Sequence, residues 1–119
     1  MVVRKFPRFP VAMPSTLVQR DKLRYYASVK DLSLKGCRLE SVVRPFTGMQ
    51  VELLIELPGG STPIHIGRGA VRWSGSLGFG VEFLTVASAE QERLKRVVEQ
   101  LSVTAGQALV FPKDELPKT

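Results

Sequence analysis

The chain holds one cysteine, one histidine and one tryptophan in 119 residues, and each scarcity removes a class of chemistry. Cys37 alone cannot close an internal disulfide, which suits a reducing compartment. His65, set between Ile64 and Ile66, has no second histidine and no Cys/Asp cluster at ligand spacing, so no metal or cofactor is expected. It has no Ser or Cys partner in a nucleophile setting either, so no triad can be built and the chain is read as not an enzyme. No apolar run approaches the roughly 18 residues that a spanning helix needs. The N-terminus mixes charge with proline where a signal peptide would carry an apolar core. A cytoplasmic protein without a membrane span is expected.

Acidic residues are also short, 11 Asp/Glu against 17 Lys/Arg, for a net charge of +6. The excess is local. Residues 1–38 hold nine Lys/Arg against Asp21 and Asp31, while the rest of the chain holds eight against nine. A polyanion or a phosphate-bearing small ligand is the natural partner for such a surface. An apolar content of 44% and a charged content of 24% are those of a folded soluble domain. A chain of this length suits one domain that buries about two-thirds of its unfolded surface.

The order of elements reads as β-rich. Residues 1–9, with Phe6, Pro7 and Phe9 among basic residues, deny a helix and are expected to form a flexible arm. Val11 to Val18 reads as a first strand that Pro14 confines to an edge or a bulge. Tyr25 to Asp31 and Gly36 to Glu40 follow as the second and third strands. Gln50 to Leu57 alternates, with Val51, Leu53, Ile55 and Leu57 inward. Pro58-Gly59-Gly60-Ser61 predicts a hairpin into Thr62 to Trp73. The apolar phase slips between Ile66 and Val71, which places a β-bulge at Gly67-Arg68-Gly69. A sixth strand carries Phe79, Val81 and Phe83; with Trp73 these aromatics are assigned to the core rather than to a stacking platform. Ser88 and Gln91 form a capping box ahead of Leu94, Val97, Val98 and Leu101, an amphipathic helix. Gly106 is expected to close the helical region, and residues 104–119 to form a tail.

The chemistry concentrates at Val29–Leu39, VKDLSLKGCRL, read with Arg4 and Arg8. Asp31 and Ser33 lie two residues apart and share one face of an extended chain. Gly36 then permits a turn or a positive φ before Cys37 and Leu39 resume alternation. Arg4 and Arg8 complete a polar corner suited to an anionic, guanine-bearing ligand. A guanidinium binds phosphate oxygens and the O6/N7 edge of guanine bidentately, and Asp31 can accept from guanine's other edge. Asp31 and Ser33 are also residues that shape turns through nearby backbone donors, and both roles can hold. Cys37 reads as a small buried hydrophobe.

Arg4-Lys5-Phe6-Pro7-Arg8 fits R-x-x-x-R, and Asp31-Leu32-Ser33-Leu34-Lys35-Gly36 fits [DN]-x-S-x-x-G. With Val71-Arg72-Trp73 and Gly80-Val81-Glu82-Phe83, these motifs resemble the PilZ domain family over roughly residues 4–101. The resemblance implies a six-stranded antiparallel β-barrel, here spanning residues 10–103 with one C-terminal helix, that binds cyclic di-GMP. Its ligand set would be Arg4, Arg8, Asp31, Ser33 and Gly36. With three residues ahead of Arg4, signal output is expected through an effector protein or self-association. Two other readings stay open: a ligand-independent interaction module, and a non-specific single-stranded nucleic-acid-binding barrel. The second is weakened by aromatics that read as facing inward.

Overall fold

A computed structural model of the chain describes residues 6–110. Six strands run in order: β1 (Phe9–Val18), β2 (Arg24–Leu32), β3 (Gly36–Ser41), β4 (Gln50–Ile55), β5 (Ile64–Gly75) and β6 (Gly78–Thr85). They close into an antiparallel barrel, β1-β2-β3-β6-β5-β4, followed by one helix, α1 (Ser88–Val110). Period-two alternation explains the inside. Leu17, Ala27, Val29, Leu39, Leu53, Ile66 and Phe79 are buried from strands whose intervening residues turn outward. The expected hairpin after β4 contains one 3-10 turn at Pro58–Gly60 and delivers β5 antiparallel to β4.

Two prolines mark where β1 is incomplete. Its C-terminal half pairs with β4 from Ser15 to Val18, whereas the half carrying Pro10 and Pro14 is laddered with β2, with the Pro14 carbonyl accepting the Glu56 N–H at 2.9 Å on its other side. The edge-or-bulge reading of Pro14 is therefore right locally, in a sheet that closes elsewhere. A residue without an N–H is tolerated where no second neighbour asks for one.

The bulge expected at residues 67–69 is present. Val51 pairs with Gly69 while Leu53 pairs with Ile66, so β5 carries an extra residue there. A second irregularity lies further along β5 and was not expected. Val71 faces Val81 but Trp73 faces Gly80, so Arg72 and Trp73 together span a single step of β6. Alternation from Val71 would send Trp73 inward; the inserted residue reverses it. Trp73 is 37% exposed on the outer wall, which corrects its assignment to the core, while Phe79 and Phe83 are buried as expected. Tyr26 and Phe46 are exposed too, so the aromatics as a set do not face inward.

Helix α1 buries Leu94 and Val98, with Val97 and Leu101 partly covered, against β5 and β1. Burying each such side chain is worth roughly 1.5–3 kcal/mol. The helix continues to Val110, through the segment read as tail and through Gly106. One glycine costs a helix about 1 kcal/mol, too little to end it among good helix formers such as Gln107 and Ala108. Glu90 and Arg93 fasten the first turns to the barrel. The Glu90 carboxylate accepts the His65 N–H at 2.7 Å, and Arg93 donates to the carbonyls of Thr62 and Pro63, the latter at 3.1 Å.

The strand directions sort the connections into two ends. The β2–β3 turn, the β4–β5 connection and the approach to α1 share one end. The β1–β2, β3–β4 and β5–β6 connections share the other.

Candidate functional site

The β2–β3 turn is built by Ser33. Its N–H donates to the Gly36 carbonyl at 2.9 Å, and its hydroxyl donates to the same oxygen at 3.2 Å. The hydroxyl also accepts the N–H groups of Lys35 and Gly36, each at 3.1 Å. Ser33 is buried and its hydrogen-bonding capacity is spent inside the turn, so its role is to shape the corner. Gly36 is needed for closeness. Its φ is not positive; a Cβ there would sit 2.5 Å from the Val81 carbonyl oxygen of β6. Of the turn and the positive φ that the sequence allowed at this position, the structure has the turn, and the close β6 backbone supplies the physical reason for glycine.

Asp31 is the hub of the charged groups. Its Oδ1 accepts the Arg38 N–H at 3.2 Å and lies 3.3 Å from Arg8 Nη1, while Oδ2 lies 3.5 Å from Arg38 Nε. Asp31 and Arg38 are register partners across β2 and β3, next to an irregularity between Val29 and Asp31. Arg8 enters from the segment leading into β1, whose Pro10 pairs with Asp31. The structure thus brings together Arg8, Asp31, Ser33 and Gly36; Arg4 lies outside the described residues.

Beside this cluster is an open recess of about 330 Å³. Arg8, Ser33, Lys35 and Gly36 form one side and Arg72, Trp73, Gly80 and Glu82 the other, with Phe6 at the rim. Lys35 Nζ lies 5.5 Å from the centroid of the Phe6 ring, within cation–π reach. The Trp73 indole lies across Gly80, where any Cβ would collide with its Nε1, Cδ1 and Cε2. Arg72 Nε donates to Glu82 Oε1 at 2.6 Å, an exposed pair flanking the indole. Cys37 is fully buried behind the corner, and its thiol pKa is driven up by burial and further by the Asp31 charge, against a smaller opposing effect of Arg8. It stays a neutral packing residue, not a nucleophile.

Sequence reasoning missed Arg38, Arg72, Trp73 and Glu82. Arg38 was traceable in principle, since a strand pairing across the Ser33 turn sets it opposite Asp31. Trp73 was hidden by the second bulge.

The fold and the recess define a small antiparallel barrel with a basic, aromatic-walled corner on its outer face. The sequence matches the PilZ domain family over residues 3–100, and the chain belongs to that family. No protein of curated function matches it in sequence. Among solved structures it is similar to the PilZ domain with c-di-GMP of YcgR from Escherichia coli. That likeness has a TM-score of 0.69 and 15% identity, over 91% of this chain and 98% of that one. The Bacillus subtilis inhibitor of motility MotI/DgrA gives a TM-score of 0.68 and 16% identity over 87% of this chain; the chain spans about half, 53%, of that protein. The PilZ domain of CeSA from a cellulose-synthesizing bacterium gives 0.64 and 15%, over 81% and 98%. At these identities the likeness is one of fold.

Proposed function

We propose that the corner binds cyclic di-GMP and that the chain is a receptor that passes occupancy on to an effector protein. The observation that carries this reading is the convergence of Arg8 on Asp31 beside an open recess, on a turn shaped by Ser33 and Gly36, in a chain of the PilZ family. The YcgR structure of the same fold was solved with c-di-GMP, which makes that ligand the one to test first.

Chemically, the assignment rests on what each group offers. Arg8 makes one hydrogen bond among the described residues, at 3.3 Å, longer than a strong charge-assisted contact. A guanidinium has more donors than that bond uses, and phosphate oxygens or a guanine edge are the acceptors it fits best. Arg4, one R-x-x-x-R step earlier, would supply a second guanidinium. Asp31 accepts from guanine's donor edge and keeps Arg8 and Arg38 in place. Trp73 offers a flat apolar face to a purine, the kind of stacking worth about 1–3 kcal/mol per base. Binding fixes residues 1–9 against the recess, and that ordering is the signal the partner reads. Amide exchange over residues 1–9 should slow on adding ligand; equal exchange in both states removes this switching step while leaving binding intact.

Calorimetric titration of Asp31→Ala tests the site itself. Removing a carboxylate raises the net charge, so a merely basic surface binds anions equally or more tightly after the change. A site that reads guanine loses affinity. The expected result is weaker cyclic di-GMP binding by a folded variant, with cyclic di-AMP a poor competitor for the unaltered protein. Unchanged or improved affinity, or equal competition by cyclic di-AMP, defeats the proposal.

A further inference from the structure

The barrel end opposite the corner carries residues 19–23, 42–49 and 76–77 in three neighbouring connections. Gln19 Nε2 contacts Met49 Sδ at 3.8 Å across the first two, and Arg44 shares a recess with Ser76 across the second and third. Folding leaves Val42 94%, Leu77 73%, Phe46 66% and Leu23 52% exposed. Four of the eight exposed large hydrophobics among the described residues therefore stand on loops at one end, and a fifth, Tyr26, is close by on β2. Scattered exposed apolar residues are ordinary; a group of them at one end is a mark of an interaction surface.

Around this group Arg20, Lys22, Arg24 and Arg44 are exposed. Asp21, the one carboxylate in these connections, accepts the Leu23 N–H at 3.0 Å, and the two carboxylates on the adjoining strand ends, Glu40 and Glu52, are paired with Arg38 and His65. The first loop has a fixed shape: Gln19 N–H donates to the Leu23 carbonyl at 3.0 Å and Lys22 N–H to the Gln19 carbonyl at 2.8 Å. Two of the cations, Arg20 and Lys22, are thus presented beside Leu23 by an ordered turn.

We propose that this end of the barrel docks on an anionic lipid surface. The strands are laddered on both sides here, so no free edge invites an extended peptide. The apolar side chains come from three different loops and are half to almost fully exposed, and a protein partner would need a complementary surface for all of them. A bilayer interface yields to any such side chain, while the surrounding cations meet acidic headgroups. This surface shares no residue with the recess, and the inference goes beyond the nucleotide reading.

Co-sedimentation of the full chain with vesicles tests it, using phosphatidylcholine alone and phosphatidylcholine mixed with phosphatidylglycerol. Binding is expected to the mixed vesicles only and to fall as salt rises. The double variant Val42→Ser, Phe46→Ser should weaken partitioning by about tenfold or more, since it removes two apolar insertions. Arg20→Glu with Lys22→Glu should abolish it. Both variants alter exposed side chains, and unchanged melting temperatures and unchanged cyclic di-GMP titrations would show that fold and recess are intact. Absence of vesicle binding, or binding indifferent to both double variants, overturns the proposal. So does a wild-type chain that ignores vesicles while the same variants lose oligo(dT) binding or self-association; the surface would then belong to nucleic acid or to a second copy.

Discussion

Two clusters of charged side chains sit near the same end of this barrel and use similar residues differently. Where Glu90 and Arg93 fasten α1, the two pair with each other at 3.2 Å and each also holds backbone groups: the His65 N–H and the carbonyls of Thr62 and Pro63. In the corner, Arg38 is likewise tied to backbone, its N–H donating to Asp31 at 3.2 Å and its Nη1 to the Leu77 carbonyl at 2.7 Å, but the Arg8 guanidinium meets, among the described residues, only the Asp31 carboxylate, at 3.3 Å, and borders an open recess. Charge anchored to backbone holds two elements in one place. Long side-chain pairs beside solvent contribute little to stability, since exposed pairs are typically worth about 0–1 kcal/mol, and they exchange readily for a better anion. The clamp thus serves the fold, and the Arg8 side of the corner is the less firmly tied of the two, as the proposed ligand site requires.

The largest test of that division is Leu94→Ala. Leu94 is fully buried under the clamp, and truncation there should cost about 2–5 kcal/mol of stability, measured by chemical denaturation. If the corner is independent, cyclic di-GMP affinity of the remaining folded protein stays the same; a parallel loss would show that the helix holds the site together as well. Arg8→Ala runs the other way. It should cost about 1.5–3 kcal/mol of binding, the range for hydrogen bonds to charged groups, with little movement of the melting temperature. A large drop in stability with intact affinity would reverse the comparison.

The smallest expected effect is a pH dependence. The His65 N–H, assisted by Arg93 and opposed by partial burial, holds the Glu90 carboxyl below the usual range. A depressed carboxylate pKa contributes stability that is fully present above the unfolded value and is lost as pH falls through the folded one. Glu90→Gln keeps an acceptor but does not titrate. The stability gap between wild type and this variant should therefore be widest near neutrality and shrink in acid; a gap constant with pH would show that the Glu90 charge does no fastening.

Much of this molecule was legible in its sequence because most strands obey one period. Val51, Leu53 and Ile55 announce β4, and the phase change from Ile66 to Val71 announces the first bulge of β5. The second bulge left no such trace. Val71 and Trp73 are two apart and both apolar, which is what an uninterrupted strand looks like, so the indole was assigned to the wrong side of the wall. The corner was legible by motif, through Asp31, Ser33, Gly36 and Arg8. Its physical details were not: a glycine needed for a positive φ and one needed for a close β6 backbone are written with the same letter. Arg38 shows the remaining gap: it faces Asp31 only once the β2–β3 hairpin is closed at the Ser33 turn, so placing that turn is what finds it.

The position of Trp73 over Gly80 also gives the protein an optical property. It is the one indole in 119 residues, half-open to water and set in the wall of the recess. All tryptophan emission therefore originates at a single known place, free of the averaging that several fluorophores impose. A purine laid against that ring would quench it, and a change at the far loops would leave it dark to the event. If the recess takes a purine as proposed, the chain carries an intrinsic, label-free gauge of occupancy, and Gly80 is the residue that keeps it seated, since any side chain there would lift the indole off the wall.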